Sequence, residues 1–80
     1  MHFVYILQSD SSPDRFYTGF TDADPTVRLQ QHNDGCCDYT RPFRPWRIKT
    51  FPGFTDRQQA LAFERYLKTP SGRAFAKKRL

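Results

Sequence analysis

The sequence has little cysteine and no long apolar run, and each absence excludes a class of protein. The two cysteines among its 80 residues, Cys36 and Cys37, are adjacent, and neighbouring residues form a disulfide only under strain. They therefore do not supply the disulfide framework of a small secreted protein. The longest purely apolar stretch, Phe3 to Leu7, is far too short for a membrane span or a signal-peptide core. We expect a protein of the reducing cytoplasm with no membrane partner, and we assign the cysteines no role.

Acidic residues are scarce in the second half of the chain. Residues 41–80 contain eleven lysines and arginines but only Asp56 and Glu64, whereas residues 1–40 contain six aspartates and two arginines. The net charge of +5 therefore divides into −4 and +9 between the two halves. A basic face built by the second half is typical of proteins that bind nucleic-acid phosphates. The alternative is a basic surface that only keeps the protein soluble.

Two runs of β-branched and aromatic residues predict a hairpin. They are His2 to Gln8 and Phe16 to Thr21, and the Ser-, Asp- and Pro-rich segment 9–14 between them is typical of a turn. Side chains also alternate from Trp46 to Phe51, which predicts a third strand that Pro52 and Gly53 end. Aromatic residues, eight Phe, four Tyr and one Trp, are expected to dominate the core.

The first helix is predicted by its end signals. Asp24 can accept hydrogen bonds from the first amides, and Pro25 suits the first turn. The helix continues to about Asn33, and Gly35 can adopt the left-handed conformation that ends it.

Two more helices follow the third strand. Thr55 to Gln58 fits a capping box for a helix that continues to about Lys68. Residues 70–72 are expected to break the chain before a last helix from Arg73 to Leu80. The order β-β-α-β-α-α predicts one α+β domain, residues 1–80, in which helices pack on a small sheet.

Glu64 lies in an unexpected place on its helix. Helical spacing puts it on the same face as Ala60, Leu61 and Leu67, inside an apolar stripe. A carboxylate turned towards a core needs a cation, a metal or a strong hydrogen-bond donor. The sequence leaves two interpretations open, which are a metal ligand and a salt bridge to Lys68 one turn later.

Arg28 and His32 are four residues apart on the first helix and project side by side, next to the core-facing Leu29. A guanidinium can contact two phosphate oxygens, and an imidazole can donate, accept or carry charge. The pair is therefore a candidate phosphate site, and the alternative is an ordinary solvated helix face.

Tyr5 and Tyr17 lie on the paired strands of the hairpin. Their hydroxyls could point into one cleft, although cross-strand packing of aromatic rings is the commoner arrangement. Gly19, inside the second strand, indicates a bulge or a close approach of another group to the backbone.

Five segments of the chain, taken in order, resemble the GIY-YIG nuclease superfamily, in the form common among small bacterial members. Together they cover nearly the whole chain. The two halves of the family signature are similar to Phe3-Val4-Tyr5-Ile6-Leu7 and Phe16-Tyr17-Thr18-Gly19. The arginine-bearing helix of the family is similar to Val27 to Asn33, and the entry to its third strand is similar to Arg44-Pro45-Trp46. The helix with its metal-binding glutamate is similar to Ala60 to Lys68.

The resemblance implies a three-stranded antiparallel sheet flanked by helices, and a nuclease that uses one divalent metal. Glu64 is then the ligand of Mg²⁺ or Mn²⁺, and Arg28 contacts the scissile phosphate. Tyr5 and Tyr17 supply hydroxyls around the attacking water, and His32 is another polar group near the phosphate.

The sequence departs from the superfamily pattern in three places. The position after Gly19, where many catalytic members carry a basic residue, holds Phe20. The link at residues 22–25 is one residue longer than usual. No second DNA-binding domain is expected after Leu80.

We therefore expect a metal-dependent endonuclease that hydrolyses phosphodiester bonds in DNA, with a role in repair or recombination. The alternatives are a basic module that binds nucleic acid without cutting it and, third, a structural partner of another protein. The residues that we expect to contact DNA outside the catalytic cluster are Arg47, Lys49, Lys68, Arg73, Lys77, Lys78 and Arg79.

Overall fold

An antiparallel sheet with helices on both faces forms the protein, and the structure, a computed structural model, describes all residues from 1 to 80. The predicted α+β fold and its order of elements are confirmed, with one short strand added. In chain order the elements are β1 (His2–Ser9), β2 (Phe16–Thr21), α1 (Pro25–Asn33), β3 (Trp46–Thr50), β4 (Gly53–Phe54), α2 (Arg57–Leu67) and α3 (Pro70–Arg79), with a 3₁₀ turn at Arg41–Phe43.

Strand β1 lies in the centre of the sheet. The predicted hairpin pairs β1 with β2 in a regular antiparallel register from Phe3 opposite Thr21 to Gln8 opposite Phe16. Strand β3 pairs antiparallel along the other edge of β1, with one irregularity in register after Ile6. Strand β2 therefore forms an edge of the sheet.

Strand β4 corrects the expectation that the chain leaves the sheet at Gly53. It pairs antiparallel with the first residues of β1. The carbonyl of Pro52 accepts a hydrogen bond from the Val4 N–H at 3.1 Å, which holds the chain beside β1 between the two strands. Pro52 separates β3 from β4 because it has no N–H to donate to β1, but its carbonyl still accepts a hydrogen bond from β1.

The side chains of β1 alternate between two small cores. Val4 and Ile6 face α2, where they pack with Ala60 and Leu67. The next side chains along β1 point to the opposite face, towards α1 and the loop that leads to β3. This second core consists of Tyr5, Leu7 and Trp46, with Tyr17, Leu29, Phe43 and Ile48 around them.

The predicted ends of α1 are confirmed. The Asp24 carboxylate accepts a hydrogen bond from the Thr26 N–H at 2.9 Å, and Pro25 occupies the first turn. After the helix, Gly35 has φ of 85°, a left-handed conformation that favours glycine. The two caps fix the first and last residues of α1, and they therefore determine which of its side chains face the sheet.

Helix α2 begins one residue later than the capping box predicts. Asp56, rather than Thr55, is the N-cap, and its carboxylate accepts a hydrogen bond from the Gln58 N–H at 2.9 Å. Both residue types cap helices well, so the sequence alone does not decide between these neighbours.

Helix α3 begins at Pro70, so the predicted start at Arg73 is wrong. Thr69 caps the helix by accepting a hydrogen bond from the Gly72 N–H at 3.1 Å. Proline suits the first turn because its missing N–H has no partner there in any helix. Gly72 lies so close to the backbone of α2 that no side chain fits there, because a Cβ would lie 1.8 Å from the Tyr66 carbonyl oxygen.

Cys36 is exposed and Cys37 is half-buried, and both are free thiols. None of the three helices has the length and apolar character that crossing a bilayer requires. The compartment in which the protein works stays a prediction.

Candidate active site

Tyr5 is the centre of a buried polar cluster between β1 and α1. Its side chain is almost fully buried, yet its hydroxyl has two polar neighbours. The Oη atom lies 3.1 Å from Nε2 of His32 and 3.5 Å from Nε of Arg28. The helical spacing of Arg28 and His32 therefore brings both side chains to one phenol, with His32 buried and Arg28 partly exposed.

Gly19 explains how the Tyr5 ring fits against the sheet. The two residues are directly opposite in the β1–β2 pairing. A Cβ on Gly19 would lie 2.4 Å from both Cζ and Oη of Tyr5, so the ring covers the glycine. The expected close approach at Gly19 is confirmed, and the approaching group is the side chain that forms the site.

His32 is held from both sides of its ring. Nδ1 lies 2.8 Å from Oγ1 of Thr40, and this threonine is fully buried. The Thr40 hydroxyl also donates a hydrogen bond to the Cys37 carbonyl at 3.4 Å. The Arg28 guanidinium can only donate to Oη of Tyr5, so Nε2 of His32 is the acceptor for the Tyr5 hydroxyl proton. Nδ1 then carries the imidazole proton and donates it to Thr40.

The charge states in the cluster follow from burial and proximity. Burial, and then the Arg28 guanidinium, lower the pKa of His32, so the imidazole is neutral at neutral pH. The hydrogen bond to Tyr5 raises the pKa of Arg28. A neutral imidazole beside a phenol, with a guanidinium on the same phenol, is an arrangement that can accept a proton and stabilise the resulting phenolate.

Tyr17 packs against the same cluster from β2. Its ring centroid is 4.8 Å from that of His32 and 6.3 Å from that of Tyr5. Burial, and then the neighbouring Tyr5, raise the pKa of Tyr17, so its phenol is protonated at neutral pH. The aromatic packing that the sequence left open is thus present, and it brings the two tyrosines into one site.

Glu64 lies on the half-buried side of α2, with 18% of its side chain exposed. Its Oε2 accepts a hydrogen bond from Nζ of Lys68 at 2.8 Å, which is the salt bridge that the sequence offered as an alternative to a metal ligand. The Glu64 charge also contributes to the raised pKa of Tyr17, as a smaller cause after burial. Within the cluster, Tyr17 is therefore the residue whose titration Glu64 affects.

A divalent metal beside Tyr17 would have Glu64 as its single protein ligand. No group of three or more His, Cys, Asp or Glu residues is close enough together to hold a metal ion. Glu64 Oε1 accepts no hydrogen bond, so one carboxylate oxygen is available. Mg²⁺ accepts such sites because it keeps several waters and takes further oxygens from substrate phosphate.

Phe20 packs against the α2 side of the sheet, away from the cluster around Tyr5. The Arg57 guanidinium lies 5.1 Å from the centre of its ring and also binds Asp22 at 3.2 Å. The position after Gly19 therefore holds a partly buried apolar residue that packs against the core in this chain.

The residues that we expect to contact DNA outside the cluster divide into three that have partners within the molecule and four that form no ion pair. Arg47 pairs with Asp10 and also binds Gln8. Lys68 pairs with Glu64, and Lys49 lies over the ring of Phe16. The remaining four are exposed on α3 and form none of the five ion pairs of the molecule; they are Arg73, Lys77, Lys78 and Arg79.

Sequence reasoning missed Thr40. It lies in the irregular segment between α1 and β3, where no periodicity predicts which side chains are buried. Its position depends on tertiary contacts, since its carbonyl accepts the indole N–H of Trp46 at 2.8 Å. The buried network around Tyr5 therefore has a member that only the folded chain reveals.

Residues 1–79 match the family model described as the GIY-YIG catalytic domain. The chain belongs to the GIY-YIG family. The matched residues include every strand and helix of the fold, among them the strands with Tyr5 and Tyr17 and the helices with Arg28 and Glu64.

Curated relatives are of two kinds. The chain is 45% identical over 73 residues to the structure-specific endonuclease subunit SLX1 of Meyerozyma guilliermondii, which covers 84% of this chain and 24% of that protein. It is 38% identical over 66 residues to the SLX1 homolog of Giardia intestinalis, covering 78% of this chain and 18% of that protein. It is also 35% identical over 69 residues to the UPF0213 protein CPE1444 of Clostridium perfringens, covering 85% and 71%. The chain thus spans about a quarter or less of the SLX1 proteins and most of the UPF0213 protein.

Proposed function

We propose that this GIY-YIG protein is a divalent-metal-dependent endonuclease that hydrolyses phosphodiester bonds in DNA. The observation that carries the proposal is the convergence of Arg28 and His32 on the hydroxyl of Tyr5. A structural role alone does not require a buried phenol to have both a neutral base and a fixed cation as neighbours. The SLX1 relatives, which are named structure-specific endonuclease subunits, support a DNA substrate that is selected by its structure.

Tyr5 and His32 are proposed to move the proton of the attacking water. The neutral Nε2 of His32 accepts the Tyr5 proton, and the phenolate oxygen accepts a proton from water. The water oxygen then bonds to phosphorus as the bond from phosphorus to the leaving oxygen breaks. The leaving oxygen takes its proton from solvent. The neutral state of His32, which burial favours, is the state that this transfer needs.

Arg28 is proposed to bind the non-bridging oxygens of the scissile phosphate. Its Nε faces Tyr5 and its Nη1 donates to Gln31 at 2.5 Å, so the guanidinium plane is fixed. A fixed planar guanidinium can meet two phosphate oxygens at once. Tyr17, whose raised pKa keeps it protonated, is proposed to donate a hydrogen bond to the same phosphate.

The metal, Mg²⁺ or Mn²⁺, is proposed to bind Glu64, and when bound it would neutralise charge on the phosphate and on the leaving oxygen. Glu64 must then share its carboxylate between the metal and Lys68. Release of Lys68 towards a DNA phosphate would leave the carboxylate free.

A non-catalytic nucleic-acid-binding module is the second candidate. It is favoured by the ion pair that engages Glu64 and by the apolar Phe20 after Gly19, which supplies no positive charge for binding phosphate. A setting in DNA repair or recombination is part of the first proposal.

One experiment separates the two candidates. Nicked, flapped, branched and single-stranded DNA are incubated with the protein and Mg²⁺, Mn²⁺ or chelator. We expect metal-dependent cleavage that Glu64→Gln and Tyr5→Phe abolish and that Tyr66→Phe, an exposed phenol on α2, leaves intact. Binding without cleavage under all conditions would establish the second candidate, and cleavage by Glu64→Gln at the normal rate would remove the proposed metal site.

A further inference from the structure

A groove of about 980 Å³ runs between the sheet and helix α3, next to the cluster around Tyr5. Ile6 and Phe16 line it from the sheet, and Arg73 and Lys77 line it from α3. Its volume is in the range of sites that hold a nucleotide-sized group. Tyr17, which belongs to the catalytic cluster, lines the groove as well, so the two sites adjoin.

The charge of the groove suits a polyanion. Five cationic side chains line it against one carboxylate, that of Asp14. Among the five, only Lys68 takes part in an ion pair within the molecule. The cations are Arg15, Lys49, Lys68, Arg73 and Lys77.

Phe16 gives the groove an exposed aromatic ring, which phosphate binding alone does not need. Its side chain is 45% exposed at the start of the edge strand β2, although a phenyl ring gains from burial. Nζ of Lys49 lies 5.2 Å from the centre of the ring. A flat aromatic ring beside cations is the combination with which proteins bind single strands, because bases stack on the ring while phosphates meet the charges.

The exposed ring distinguishes an unpaired strand from a duplex. Within a duplex each base is already stacked on its neighbours, so a side chain can reach only base edges. In an unpaired strand the faces of the bases are free. Phe16 thus offers a contact that duplex DNA cannot use.

We propose that this groove binds an unpaired stretch of a nucleic-acid strand, with one base stacked on Phe16 and phosphates on Lys49, Arg73 and Lys77. The binding itself is independent of catalysis. Its consequence rests on the proposed nuclease function: since Tyr17 lines both sites, the favoured substrate has a single strand beside the bond that is cut.

The test measures binding in chelator, where no metal-dependent cleavage occurs. Fluorescence anisotropy follows a labelled oligothymidine of about 12 nucleotides and a duplex of equal length. We expect Phe16→Ala to weaken oligothymidine binding about tenfold and duplex binding less than about twofold. Phe16→Tyr should bind like the wild type, because its ring still stacks.

Matched controls come from the same chain. Phe51 is also half-exposed, at 50%, but does not line the groove, so Phe51→Ala should leave oligothymidine binding unchanged. Lys77 lines the groove and the adjacent Lys78 does not. Lys77→Gln should reduce the salt dependence of oligothymidine binding by about 0.7 in the log-log slope, and Lys78→Gln by less.

The proposal is overturned if Phe16→Ala and Phe51→Ala bind the oligothymidine equally well, or if Phe16→Ala weakens both probes to the same degree. Neither result depends on cleavage. A protein that binds as expected but never cuts DNA would refute only the nuclease proposal. One that cuts flapped DNA while Phe16→Ala binds normally would refute only the groove proposal.

Discussion

Oγ1 of Thr40 lies 2.8 Å from Nδ1 of His32, and this contact determines which nitrogen of the imidazole faces Tyr5. The threonine does not reach the phenol itself. It acts by holding the proton on Nδ1, so that Nε2 stays available as an acceptor 3.1 Å from the Tyr5 hydroxyl. A residue in an irregular loop thus sets the chemistry of a pair formed by a strand and a helix.

Thr40→Val is expected to impair cleavage while keeping the shape of the site. Valine fills the space of threonine but cannot accept the Nδ1 proton, which leaves a buried donor unpaired at a cost of about 1–3 kcal/mol in unfolding free energy. The preferred tautomer is then lost, and the pH profile of cleavage should shift with the lower rate. Urea unfolding and rates measured across pH would show both effects.

Thr40→Ser keeps the hydroxyl and is the matched control. It should restore the pH profile of the wild type even if the missing methyl group lowers stability. A valine variant with a normal rate and an unchanged pH profile would show that Thr40 has only a packing role.

Gly19→Ala is expected to displace the Tyr5 ring. The added methyl group would lie 2.4 Å from Cζ and Oη of Tyr5, and Tyr5 is almost fully buried, so the ring must shift within the packed site. We expect a loss of about 1–3 kcal/mol in stability together with loss of cleavage. Gly53→Ala meets Phe3 at 3.1 Å, at an exposed position, and should cost less. Equal unfolding midpoints for the two variants would contradict this explanation of Gly19.

Arg28→Lys should lose most of the activity, at least about tenfold, with little loss of DNA affinity. Lysine keeps the positive charge but cannot form the planar contact with two phosphate oxygens. Single-turnover rates at saturating DNA would separate the chemical step from binding. Arg65 is an exposed arginine on α2, and Arg65→Lys shows whether replacing an arginine by lysine elsewhere in the protein also lowers the rate. Wild-type turnover by Arg28→Lys would mean that this guanidinium does not contact the scissile phosphate.

Stability and activity should both fall as the pH decreases through the histidine range. Burial lowers the pKa of His32 in the folded state, so the unfolded chain binds a proton first as the pH drops below about 6.5. The stability is fully present above that pH and is lost towards the lower pKa of the folded state. Protonation also removes the acceptor for the Tyr5 proton.

The measurement compares unfolding free energies between about pH 5 and pH 8 for the wild type and His32→Asn, both in a His2→Gln background that removes the other histidine. The asparagine variant should have the flatter curve. Parallel curves would show that His32 does not titrate differently in the two states.

Local patterns predict much of this site, and tertiary contacts account for the rest. Helical spacing pairs Arg28 with His32, and strand alternation puts Tyr5 and Tyr17 on one face, because both depend only on backbone geometry. Thr40 and the groove at Phe16 depend on how the loop before β3 and helix α3 pack against the sheet. No periodicity in the sequence encodes that packing. The same reason explains why the predicted start of α3 is wrong, since Thr69 and Pro70 can end one helix or begin another.

The basic half of the chain should bind duplex DNA whether or not the protein cuts it. The exposed cations of α3 have no carboxylate partners, so their counterions are free to be released when phosphates bind. Engagement of roughly four to six phosphates should give a log-log salt slope of about −3.5 to −5.5 on duplex DNA. Replacing Lys77, Lys78 and Arg79 together with Gln should make the slope less steep, in proportion to the number of phosphates that these side chains neutralise. Anisotropy titrations at several salt concentrations measure it, and a slope near zero, or one that the triple substitution leaves unchanged, would show that this end of the protein only provides solubility.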